Sequence, residues 1–368
     1  MNILFDHQIF CLQKYGGISR YFYELANHIA DRSEEEVKIF APVHINEYLP
    51  KSGIVRPNGI KIQELSGFGR IAAWGFDTAL AYVALKPRRD VDIFHETYYS
   101  GVDCCPRAAK RILTIFDMTH EKFPEMSPGR SSTRQTKARA VERADHVLCI
   151  SENTRSDLIS LLGVPEEKTS VVHLGYSLSV NEVKRPAISE NPYILFVGQR
   201  GGYKNFISLL RAYAKTPALK EEFSLVCFGG GEFSGQERAL IESHQLSSTR
   251  VMHLSGGDEV LAGLYSGAAA FIYPSLYEGF GIPPLEAMSF GCPVICSNSS
   301  SLPEVVGDAA ELFDPTNEGD MLAAIFRVLH SPKVSQLLIA RGFERIKQFS
   351  WEKCAKDTLD VYNKVLQG

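Results

Sequence analysis

Glu278 and Glu286 bracket the stretch of this 368-residue sequence that is richest in chemistry. Between them run Gly279, Phe280, Gly281, Ile282, Pro283, Pro284 and Leu285. The glycines permit a ligand to approach the backbone. The prolines suit the entry of a helix, where exposed N–H groups bind an anion. A diphosphate fits such an entry. Carboxylates accept hydrogen bonds from hydroxyls, so Glu278 in the loop could hold a sugar and Glu286 in the helix a ribose. Two other readings use the same residues. Glu278 could be solvated while Glu286 complements the helix dipole, or the pair could be the nucleophile and acid of a glycosidase.

A second constellation, Gly198, Gln199, Arg200, Gly201, Gly202, Tyr203, Lys204 and Asn205, is glycine-rich and cationic. Breaking a sugar–phosphate bond builds negative charge on the departing diphosphate, and Arg200 and Lys204 could stabilise it without a metal. Two solvated loop cations are the competing assignment. Gly16 and Gly17 precede a helical pattern and carry either a tight turn or a phosphate approach. Asp6 and Gln8, just before them, are placed to face an acceptor. Asp90 and Asp92 have the D-x-D spacing of metal sites but run into an apolar strand, and they read as its start. Gly229, Gly230 and Gly231 lack the full dinucleotide fingerprint.

These residues need elements to position them. Short apolar runs at 3–5, 37–40, 93–94, 112–115 and 147–150 alternate with helical stretches, which predicts a parallel, doubly wound sheet. The pattern dissolves into polar residues with prolines between Ser177 and Pro192 and restarts with strands at 193–197, 225–228, 270–273 and 293–296. The expected domains are 1–180 and 190–350, followed by a C-terminal helix over 351–368 with Ser350 as its N-cap. The fold class is α/β, with two Rossmann-like doubly wound domains facing a central cleft at the carboxyl ends of their strands.

The net charge of -4 provides no basic field, so nucleic acid is not expected as a partner. The start lacks the pattern of a signal peptide and no long apolar run is present, which predicts a cytoplasmic protein with reduced, buried cysteines and no metal. The apolar stretch 68–85, flanked by Arg70, Lys86, Arg88 and Arg89, reads as a core helix with a solvated basic end or as a contact with the inner face of an anionic membrane. The cluster of Arg130, Arg134, Lys137, Arg139 and Arg143 leaves the same choice.

Taken with residues 144–147, 150–154, 171–175, 198–205 and 301–305, the E-x7-E stretch makes nearly the whole chain resemble the retaining nucleotide-sugar glycosyltransferases of family 4, which have the GT-B fold. The resemblance implies that Glu278 contacts the donor sugar and Glu286 the ribose. It also implies a basic pair in the 198–205 loop, although the family's arginine often lies elsewhere in that loop than at Arg200. Gly16 and Gly17 would approach the donor phosphates, and the C-terminal helix would cross back to the first domain. The implied donor-binding set is Gly16, Gly17, Gly198, Arg200, Lys204, Glu278, Gly279, Phe280, Gly281, Ile282, Pro284, Leu285 and Glu286. The sequence departs from the family after the strand at 112–115: Phe116 stands where a histidine often touches the transferred sugar. That contact is lost, moved to His120 or His95, or replaced by an apolar wall. Arg200, Lys204, Glu278 and His120 are the expected catalytic residues. The implied reaction moves a hexose, with retention and no metal cofactor, to a saccharide or lipid-linked saccharide. UDP-glucose comes first among donors and GDP-mannose second. A catalytically silent sugar-nucleotide-binding protein is the alternative.

Overall fold

The computed structural model describes all residues except 50–52, 64–66, 127–130, 179, 181, 185, 187, 189 and 190. Arg130 and part of the polar linker therefore lie outside the described residues. The chain divides into two compact units: Met1–Gly175 together with Ser350–Gly368, and Tyr176–Phe349.

The first unit holds a seven-stranded sheet. Its strands are β1 (Asn2–Phe5), β2 (Glu36–His44), β3 (Pro57–Lys61), β4 (Ile93–Glu96), β5 (Lys110–Ile115), β6 (His146–Cys149) and β7 (Thr169–Val171), in the order β3-β2-β1-β4-β5-β6-β7. Every pairing is parallel. Every residue of β4 and of β6 is buried, as in a sheet covered on both faces. The helix Trp351–Gln367 starts at Ser350, whose side chain accepts from the Lys353 N–H, and packs on the helix Gly17–Arg32. Aromatic rings join these helices to the sheet: Tyr21 meets Phe116 edge-on at 5.2 Å, Phe22 meets His95 at 5.1 Å, and His95 meets Tyr362 at 5.8 Å.

The second unit holds a six-stranded parallel sheet of β8 (Tyr193–Val197), β9 (Ser224–Phe228), β10 (Val251–Leu254), β11 (Ala270–Tyr273), β12 (Val294–Ser297) and β13 (Ala310–Phe313). Its order is β10-β9-β8-β11-β12-β13. Phe196, Leu210, Tyr213, Leu225, Ile272 and Ile325 belong to one buried cluster that seats its helices.

Strand order reverses between β1 and β4 in one sheet and between β8 and β11 in the other. Connections leave the two strands at such a point toward opposite faces, which opens a crevice at their carboxyl ends where ligands bind. Asp90 and Asp92 lie at the opposite, amino end of β4: Asp92 accepts from the Asn2 N–H at 2.7 Å and Asp90 pairs with Arg88. The eight cysteines are free thiols, and seven of them are buried.

The helix Gly67–Leu85 buries Asp77, Thr78, Ala81 and Leu85 and exposes Phe76, Leu80, Tyr82 and Val83. A core face is thus joined by an apolar outer face.

Candidate functional site

In the second unit, residues 198–205 cross the end of β8. Gly198 adopts φ 121° and donates its N–H to Phe228 O at 2.9 Å. Beyond β9, Gly229, Gly230 and Gly231 all have positive φ, and a Cβ on Gly230 would stand 2.8 Å from Gly198 O. Glycine alone lets these two turns touch.

Arg200 fastens them. Its Nε donates to Glu237 Oε1 at 3.0 Å, Nη1 to Gly229 O at 2.7 Å, and Nη2 to Gly231 O at 2.6 Å and Glu232 O at 2.8 Å. Glu237 is itself held in a capping box with Ser234 at the start of the helix Gly235–Ser243. A guanidinium has five N–H donors, and the protein takes four of these. The Arg200 side chain is buried and its fork braces the glycine turn, which leaves one N–H for the diphosphate that the sequence assigned to it.

Lys204 is arranged differently. The turn Gly202–Lys204 ends at Asn205, a non-glycine residue at φ 56°. The Asn205 amide donates to Pro274 O at 3.1 Å and Pro315 O at 2.9 Å, and the Leu276 N–H donates to Tyr203 O at 2.7 Å. The loops after β8 and β11 are thus tied together across the reversal point. Lys204 Nζ lies 2.6 Å from Glu278 Oε1 and 3.1 Å from the Tyr273 hydroxyl. Burial works against the ammonium, but the facing Tyr273, Glu278 and Tyr203 outweigh it and raise its pKa, so Lys204 is charged. The Glu278 N–H donates to Ser300 Oγ at 2.8 Å, and Ser301 Oγ donates to Glu278 O at 2.9 Å and Phe280 O at 3.0 Å. Neither cation is a solvated loop residue.

Gly281 caps the helix Ile282–Ser289 at φ 101°, and a Cβ there would come 2.6 Å from Leu302 Cδ2. Pro283 and Pro284 have no N–H, which leaves Gly281 and Ile282 as the donors at this end. Glu286 is buried in the second turn of the helix, where the macrodipole has faded, so the dipole-complement reading does not fit. Its Oε2 accepts from the Tyr265 hydroxyl at 3.3 Å. Gly279, Phe280, Pro284 and Leu285 are buried and Ile282 is half-buried, so these positions shape the loop more than they expose side chains.

Gly16, Gly17 and His120 belong to the other unit. Gly16 is extended at the head of the helix Gly17–Arg32, where Gln13 Oε1 accepts the Ser19 N–H at 3.1 Å, and Gly17 is exposed. Asp6 and Gln8 are buried and bonded to each other at 2.6 Å, with Thr97 donating to Asp6 from the end of β4. They brace this sheet's reversal point and do not present an open face. His120 is half-buried in the helix Thr119–Lys122, and Lys137 pins that segment through Asp117 O at 3.0 Å and Glu121 Oε2 at 2.7 Å. His95 is fully buried between the Tyr362 hydroxyl at 2.5 Å and Thr114 Oγ1 at 2.8 Å, and burial lowers its pKa to about 3. Both ring nitrogens of His95 thus face protein hydroxyls. Phe116 packs edge-on against Tyr21 and Phe22.

Sequence reasoning missed Tyr273, Ser300, Tyr265 and Glu237. The S-x-x-E spacing of Ser234 and Glu237 could have flagged the cap, and Tyr273 ends a predicted strand at the ligand-binding edge. Ser300 and Tyr265 carry no local signal.

The profile of the family described as Glycosyltransferase Family 4 matches residues 15–180, and that of Glycosyl transferases group 1 matches residues 180–345. O-antigen chain mannosyltransferase B of Escherichia coli is 31% identical over 94% of this chain and 95% of its own length. O-antigen chain mannosyltransferase RfbU of Salmonella typhimurium is 26% identical over 66% and 69% respectively. Among solved structures, sucrose-phosphate synthase of Thermosynechococcus elongatus superposes with a TM-score of 0.76 at 20% identity, covering 100% of this chain and 99% of that one. HepE of Anabaena, solved in complex with UDP, gives 0.73 at 16% identity, covering 99% and 100%. These two likenesses show the fold.

The bracing role of Arg200 has a measurable consequence. Arg200→Ala would leave the Glu237 carboxylate buried without its cation, and should destabilise the protein by about 3 kcal/mol or more in urea unfolding. Unchanged stability with a selective loss of turnover would return Arg200 to the reacting diphosphate.

Proposed function

Because the chain belongs to glycosyltransferase family 4, we propose that it moves a hexose from a nucleoside diphosphate sugar to a saccharide hydroxyl with retention of configuration. The donor lies on the loops after β8 and β11. The charged Lys204, held beside Glu278 at the reversal point of a parallel sheet, is the observation that carries this reading. As the bond from the anomeric carbon to the phosphate oxygen breaks, Lys204 stabilises the charge on the leaving diphosphate. The acceptor oxygen bonds the same face of the carbon, and its proton passes to the departing phosphate. Glu278 holds sugar hydroxyls and Glu286 holds the ribose; neither acts as nucleophile. Positioning and charge stabilisation then supply the rate without a metal.

The donor order reverses from the one expected. A relative similar over nearly its whole length is named a mannosyltransferase, which favours GDP-mannose over UDP-glucose. The acceptor is a saccharide of a growing polysaccharide, carried on a lipid at the inner face of the membrane. The exposed Phe76 and Val83 on the helix Gly67–Leu85, with Arg89 exposed just beyond it, support contact with an anionic bilayer. Among the described residues no helix is long and apolar enough to cross a membrane.

A donor panel read by thermal shift and by nucleoside diphosphate release tests the reaction. GDP-mannose should give the largest shift, because a ligand that binds only the folded state stabilises it. Turnover should survive EDTA and fall roughly 100-fold or more in Lys204→Ala. Loss of activity with chelator would contradict the metal-free mechanism, and binding without turnover on any acceptor would favour a silent binding protein. Sedimentation with vesicles tests the surface. Binding to phosphatidylglycerol vesicles should exceed that to phosphatidylcholine, and should weaken roughly tenfold in Phe76→Ser/Val83→Ser. A concentration-dependent dimer lost in that variant, with no vesicle binding, would assign the face to a second copy.

A further inference from the structure

Lys204, Glu278 and Tyr273 form a three-group cluster in which the two residues needed by different parts of a donor are bonded to each other. Lys204 is suited to a diphosphate and Glu278 to sugar hydroxyls, yet their charged ends stand 2.6 Å apart. Both backbones are fixed. Glu278 is held by Ser300 and Ser301, and the Lys204 turn is held by Asn205 and by the Leu276 to Tyr203 bond. Exchange of partners therefore requires only side-chain rotation. Tyr273 is the stationary member: it ends β11, is 2% exposed and stacks on Phe271 at 5.6 Å. Its hydroxyl contacts Lys204 Nζ at 3.1 Å, and the ammonium lies 5.4 Å from its ring centre. Burial, and then the Glu278 carboxylate, raise the Tyr273 pKa, so the hydroxyl remains protonated.

We propose that the Lys204–Glu278 pair is a built-in competitor of the donor diphosphate, with Tyr273 as the positioning residue that holds the ammonium while it changes partners. A diphosphate has greater negative charge than one carboxylate and takes Lys204. The same event releases Glu278 to accept bonds from the sugar. Engagement of the two ends of the donor is thereby coupled, and a nucleotide without its sugar leaves Glu278 with neither partner. This inference rests on the donor reading of the site.

Calorimetric titration of GDP and UDP into the whole protein separates the two claims. Glu278→Gln keeps the shape of the side chain and removes the competing charge. It should bind the nucleoside diphosphate roughly tenfold more tightly than the native protein, while losing turnover. In a Lys204→Ala background the same substitution should give no gain. A gain of equal size there would mean simple repulsion between Glu278 and phosphate and would overturn the exchange. Tyr273→Phe should lower kcat roughly tenfold with little change in KM for the donor; an unchanged kcat would remove Tyr273 from the scheme. Native protein that binds neither nucleotide would refute the donor reading and this inference together. Native binding with no gain in Glu278→Gln would refute the exchange alone.

Discussion

A parallel sheet presents all its carboxyl ends on one edge, and the reversal of strand order between β8 and β11 determines where two of the resulting loops diverge. The geometry around Lys204 follows from that constraint. Loops that diverge must be held if they are to present fixed groups, and here the Asn205 amide and the Leu276 to Tyr203 bond hold them. Asn205 takes a left-handed conformation that asparagine tolerates better than most residues. The ties place Lys204 beside Tyr273 and Glu278 without any movement of the strands. Ser300 and Ser301, after β12, secure the far side.

Two cations in one loop, Arg200 and Lys204, have opposite surroundings, and side-chain chemistry explains why. A guanidinium spreads its charge over a rigid planar fork, so Arg200 can satisfy a carboxylate and three carbonyls at once and remain buried. An ammonium is a compact charge on a flexible stem. Lys204 can pair with a carboxylate and still rotate to another anion. The glycine turn after β9, with its three positive φ angles, exposes the carbonyls that Arg200 gathers.

Central strands were legible because each carries a short apolar run: β1, β2, β4, β5 and β6 in one sheet and β8, β9, β11 and β12 in the other. The strands missed, β3, β7, β10 and β13, are the four sheet edges. An edge strand needs less apolar surface, and β3 has its last four residues exposed and contains both Pro57 and Gly59. The spacing singled out Lys204 and Glu278 in loops and Glu286 on the following helix, and the structure pairs the first two. Arg200 was legible as a cation but not as a brace, because its partners come from carbonyls and from Glu237, far along the chain. His95 and Phe116 could not be sorted either, since the deciding contacts come from Tyr362 and Tyr21, elements distant in sequence.

The central claim is that Lys204 and Glu286 hold the two ends of one nucleotide. A crystal structure of the protein with GDP tests it most directly. The expected density places the diphosphate on Lys204 Nζ, with Glu278 rotated away, and the ribose hydroxyls on the Glu286 carboxylate. Nucleotide bound elsewhere, with the Lys204–Glu278 pair intact, would contradict it.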